Sequence, residues 1–121
     1  MTDVNEKQDI EGKLEILPGI IEQQDDKVIT ARETYHKAEL EYECKYSKIV
    51  LSMKAVSKGD ITQTDLKAEA TLGSREERLT VILAESAYER EKKILNLYRD
   101  ELDTAKERSY NYRTELKKIG G

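Results

Sequence analysis

The sequence contains no tryptophan and no phenylalanine, and only one proline, one cysteine and one histidine in 121 residues. With the bulkiest apolar rings missing, seven tyrosines supply all the aromatic bulk. A thick globular core is not expected from such a chain, whereas a narrow seam between helices needs fewer large apolar residues. A single cysteine cannot close an internal disulfide, which points to a reducing compartment. No early basic region leads into an apolar run, and no apolar stretch approaches the roughly 20 residues that span a bilayer. Neither a signal peptide nor a membrane contact is expected, and the chain reads as cytoplasmic. The formal net charge is −4, so no global field favours nucleic acid or an anionic surface.

Charge and apolar periodicity are what the sequence does have. Charged residues make up 38% and hydrophobic ones 37%, a balance shared by coiled coils and by unfolded chains. Periodicity decides between them. Ile21, Val28, Tyr35, Tyr42, Ile49 and Val56 follow at steps of seven, with Ala31, Ala38, Tyr46 and Met53 as companions. Val81, Tyr88, Leu95, Leu102, Ser109 and Leu116 repeat the pattern, beside Ala84, Glu91, Tyr98, Ala105, Tyr112 and Ile119. Two such heptad stripes predict two long helices, about 20–58 and about 75–119. Ser74 and Glu77 have the spacing of a capping box at the second start, Pro18 precedes the first, and Gly120 and Gly121 close the second. Residues 1–18 lack a sustained period and read as a flexible segment, with Leu14, Ile16 and Leu17 as docking residues.

Residues 59–73 interrupt the pattern with two glycines and several Thr and Asp. That is longer than a helix–helix link needs. Thr62 or Asp60 can cap a short helix over 65–72, so the break reads as a helical elbow between two arms. The expected fold is all-α: an antiparallel two-helix coiled-coil hairpin. Matching Ile21 to Leu116 predicts Tyr35 near Leu102, Tyr42 near Leu95, Ile49 near Tyr88 and Val56 near Val81.

The second helix is also apolar away from this seam. Leu79, Leu83, Ala87, Ile94 and Leu97 lie about half a turn from the stripe, and one partner helix cannot cover both faces. The elbow can shield only the end near Leu79 and Leu83. A homo-oligomer follows as an expectation, most simply a two-fold dimer with Ile94 and Leu97 near its axis.

Chemistry-bearing residues are sparse. His36 stands among Glu33, Lys37 and Glu39 with no second histidine or cysteine at ligand spacing, and zinc needs several converging N or S ligands. Cys44, off the stripe, has no base placed to activate it. Acidic runs such as Asp100–Glu101 alternate with Lys and Arg at helical spacings, as a solvated surface does. No catalytic residue, metal or cofactor is expected. The C-terminal stretch KERSYNYRTELKK is the exception. Arg108, Arg113, Lys117 and Lys118, interleaved with Tyr110, are candidate nucleic-acid contacts by stacking and phosphate pairing. Balancing the helix dipole and an acidic N-terminal stretch is the favoured use of the same charges.

The acidic-Ala patch, the turn with SREER (74–78) and the Tyr/Ala/Leu heptads ending in YNYRTEL (110–116) resemble small helical proteins of bacteriophages. Some of these are encoded near phage recombination and replication genes. The resemblance covers about half the chain and implies a cytoplasmic accessory protein of phage DNA metabolism. The chain lacks the Trp-x-Gly turn of small secreted helical-hairpin dimers and the β-hairpin linkers of prefoldin subunits. Three roles follow as expectations: a non-enzymatic self-associating adaptor with a protein partner, a single-strand nucleic-acid binder, or an inhibitor of a host protein.

Overall fold

The computed structural model describes residues 2–120. It is all-helical, and no strand occurs among the described residues. Helix α1 is Thr2–Ser57, α2 is Gln63–Gly73 and α3 is Arg75–Gly120. No helix is long and apolar enough to cross a membrane among the described residues.

Residues 1–18, expected to be flexible, are the largest departure: from Thr2 onward they are the first turns of α1. Pro18, expected at a helix start, lies inside the helix. Ile10 and Leu17 are buried, and this apolar anchorage holds the segment helical despite its weak propensity. Gly121 lies outside the described residues.

The turn is shorter than the expected elbow. Lys58 and Gly59 both adopt left-handed backbone, with φ of 53° and 87°, and the Asp60 N–H donates to the Ser57 carbonyl at 3.1 Å. Glycine takes such a conformation freely and lysine does so at a cost. Thr62 then caps α2, its hydroxyl accepting from the Asp65 N–H at 3.2 Å.

Between α2 and α3 the helix breaks at Ser74, whose φ of −111° and ψ of 14° lie outside the helical region. The Ser74 N–H donates to the Ala70 carbonyl, and the Arg78 N–H donates to the Ser74 carbonyl. Ser74 is wholly buried, and its hydroxyl donates to the Ala70 carbonyl at 2.6 Å. The expected capping box is therefore absent: Ser74 bonds backward along the helix instead of capping forward. A Gly-Ser pair with a back-bonded hydroxyl is a recognised cause of a local bend. Gly73 allows a close approach, since a Cβ there would lie 2.7 Å from Ile49 Cδ1.

The chain divides into two compact units, residues 29–89 and residues 1–28 with 90–121. In unit 29–89 the core is Ala38, Val81 and Ala84, with Tyr35 and Tyr42 packed against it. Tyr35 meets Tyr88 at a ring separation of 6.0 Å, and the Arg78 guanidinium lies 5.6 Å from the centre of the Tyr42 ring. In the other unit Ile10, Leu17, Leu95 and Ala105 are buried, with Gln24 among them. Lys13 pairs with Glu101, Asp25 with Arg99, and Arg108 with Glu6 and Asp9.

These contacts overturn the expected register. Tyr35 faces Tyr88 in place of Leu102, a slide of two heptads. A seven-residue repeat looks the same after such a slide, so the position of the turn decides the pairing. Moving that turn from a 15-residue elbow to residues 58–62 moved every pair.

Candidate interaction surface

The seam residues fall into two groups. Val81 and Leu95 are buried, and Ile21, Val28, Tyr35, Tyr42, Ile49, Tyr88 and Leu102 are half-buried. Val56 and Leu116, expected in the seam, are 84% and 50% exposed. Both end rows of strict seven-residue steps. In a straight α-helix such a row drifts by about 20° per heptad, so its last members rotate out of the contact.

In the unit of residues 1–28 and 90–121, the buried Gln24 meets the half-buried Glu91 across the two helices. The Gln24 amide, 5% exposed, donates to the Glu91 backbone carbonyl at 3.0 Å and to the Glu91 carboxylate. Glu91 was the lone charge in the second companion row, and Gln24, three beyond Ile21 and seven before Ala31, holds a companion position of the first stripe that its polarity hid. Opposing the two would have required the register.

Outside the seam, Leu83 and Leu97 are exposed while Ala87 and Ile94 are half-buried. In unit 29–89 Leu72, Leu79 and Ile82 are exposed too, and Ile29, Leu40 and Leu51 are exposed on α1. The α1 set escaped the heptad reading because its spacing is eleven, a period that a search in sevens does not find.

Of the basic candidates, Arg108 is engaged by two carboxylates, Glu6 at 3.2 Å and Asp9 at 3.5 Å. Tyr110, Arg113, Lys117 and Lys118 are exposed. His36 stacks on Tyr35 with ring centroids 5.6 Å apart and approaches Glu39 at 3.4 Å. Cys44 is exposed. Among the described residues no group of His, Cys, Asp and Glu could hold a metal ion. Grooves of about 250 to about 410 Å³ run beside the helices, and neither His36 nor Cys44 lines them. What this surface offers is apolar side chains on outer helix faces, flanked by charge. No family model, curated protein or solved structure matches the chain.

Proposed function

We propose that the chain is a non-enzymatic helical-hairpin accessory or adaptor protein that works by associating with its own copies and with a protein partner. The hairpin is antiparallel. In unit 29–89, successive α1 residues meet α2 and α3 residues of falling number: Tyr35 with Tyr88, Ala38 with Val81 and Ala84, Tyr42 with Arg78, Ile49 with Gly73. The observation that carries the association is the exposure of Leu40, Leu51, Leu72, Leu79 and Leu83, each more than half in water, in one small unit. Large apolar side chains exposed in such number on outer helix faces usually mark an interaction site. The resemblance of 60–118 to small phage proteins directs this role to DNA recombination or replication in a bacterial cytoplasm.

Sedimentation equilibrium at tens to hundreds of micromolar tests the association. The expected result is a mass above that of one chain, lost on Leu83→Glu with helicity retained. A wild-type monomer throughout that range would end the reading. Cysteines at Tyr35 and Tyr88, in a Cys44→Ser background, test the hairpin and should cross-link within one chain.

Nucleic-acid binding is the second reading, favoured by one observation. Lys106, Tyr110, Arg113 and Lys117, all exposed, recur at steps of four, three and four on α3, which places them on one face. Tyr110 is 71% exposed, available for stacking. If this face binds single strands, replacing Arg113 and Lys117 by Gln should lower the slope of log affinity against log salt by about 0.7 per lost contact. Gel-shift titrations at two salt concentrations measure it, and the adaptor reading expects no shift at either.

A further inference from the structure

Unit 29–89 carries two apolar outer faces. On α1, Ile29, Leu40 and Leu51 recur every eleven residues, and eleven residues complete three helical turns to within about 20°. They form one line, on the side of α1 away from Ala38 and Tyr42. Leu72 and Leu83 are also eleven apart, with Leu79 between them. This second line crosses the α2–α3 junction at Ser74. It lies away from Val81 and Ala84.

The two lines stand at matched heights. Tyr35 and Tyr88 are in contact and so mark one level of the unit. Leu40 stands five residues beyond Tyr35, and Leu83 five before Tyr88. Leu51 stands sixteen beyond, and Leu72 sixteen before. A second copy displaced sideways, without rotation, would bring its α2–α3 line against the first copy's α1 line. Leu40 would then meet Leu83, and Leu51 would meet Leu72, in the antiparallel relation that Tyr35 and Tyr88 already have. One flanking pair of charges agrees: Lys48 comes level with Glu76 on the same edge, and both are exposed. A two-fold pair through α3 would leave Ile29, Leu40 and Leu51 in water. Sideways repetition covers both faces.

We infer that the outer face of α1 in one copy docks on the outer face of α2–α3 in the next, an open-ended heterologous contact between identical chains. This inference rests on the self-association reading and specifies its geometry.

The test mixes two single-cysteine chains, Leu40→Cys and Leu83→Cys, each in a Cys44→Ser background, under mild oxidation. Both positions are exposed, so folding is not at risk. The expected product is the mixed dimer in clear excess over either homodimer. The chain with both cysteines should give a ladder of multimers. Leu83→Cys cross-linking chiefly to itself would establish a two-fold pair, overturning this geometry while leaving self-association intact. A chain that stays monomeric by sedimentation and gives no cross-link would overturn both. Charge reversal supplies a second readout. Lys48→Glu or Glu76→Lys alone should weaken association a few-fold, as expected for an exposed pair, and the two in one chain should restore it. Additive weakening in the double variant would mean that these side chains do not meet.

Discussion

Proline inside a helix removes a backbone donor and pushes its ring against the carbonyl four residues back. Pro18 does this to Leu14 inside α1, and Gly12 and Gly19 add two poor helix formers in the same region. A Cβ at Gly12 or Gly19 would meet nothing within 4 Å. Gly12→Ala and Gly19→Ala should each stabilise by about 1 kcal/mol, and Pro18→Ala by up to about 3 kcal/mol. Thermal melts followed by circular dichroism measure the gain, and slower amide exchange over 5–20 would locate it. Lower melting temperatures would show that these positions are not helical. Tyr35 supplies a pH dependence. Partial burial first, then the carboxylates of Glu39 and Glu85, hold its phenol above the usual value of 10.0, with Arg78 pulling the other way. The folded state thus keeps this proton longer than the unfolded one. The resulting contribution is intact below pH 10.0, and is lost as pH rises through the folded value. Tyr35→Phe should make stability fall less steeply above pH 10.0 in denaturant titrations across the alkaline range, whatever the hydroxyl contributes at neutral pH.

At the scale of elements, face and register came from different signals. The heptads showed which sides of the long helices meet, because any slide by whole heptads keeps the same residues inward. They could not show how far each helix runs or where the chain turns. Lys58 at positive φ carries no sequence signal, and Ser74 has the pattern of a forward cap while it bonds backward. The first turns of α1 were hidden for another reason. Gly12, Pro18 and Gly19 read as breakers, and only the burial of Ile10 and Leu17 offsets them. Leu83 and Leu97 were legible as outward-facing from α3 alone; Ile29, Leu40 and Leu51 were not, since their eleven-residue period falls between heptads. A buried polar pair can fix what heptads leave open. Sliding one helix past the other strands the Gln24 amide and half-buries the Glu91 carboxylate without its donor, which costs several kilocalories per mole in total. Gln24→Leu should therefore destabilise by about 1–3 kcal/mol. The double variant Gln24→Leu, Glu91→Leu should recover that loss and release the register. Chemical denaturation gives the energies. Cysteines at Tyr35 and Tyr88 report the register: their cross-link should form cleanly in the parent and incompletely in the double variant. Full cross-linking in both would mean that the turn alone sets the pairing.

For the whole molecule, the arrangement of the apolar faces dictates how mass grows with concentration. Each sideways contact uses one α1 face and one α2–α3 face, so every added copy presents a fresh face and growth has no built-in end point. Each contact is weak. Its leucines are already partly covered, so each adds roughly 1–2 kcal/mol on full burial. Association itself costs about 4 kcal/mol or more. Weight-average mass should accordingly rise steadily across tens to hundreds of micromolar, with no plateau at two chains. Single-face variants make the distinction sharper. Leu40→Glu spoils the α1 face and Leu83→Glu spoils the α2–α3 face, and either change alone should leave only monomers, because every contact needs one face of each kind. Their mixture retains one intact α1 face and one intact α2–α3 face, on different chains. It should therefore form one-to-one dimers and nothing larger, with helicity unchanged because neither residue belongs to the seam. Sedimentation of the two variants, separately and mixed, measures this directly. A two-fold pair through α3 predicts something else: Leu40→Glu would associate as the parent does, Leu83→Glu would not associate at all, and mixing would rescue nothing.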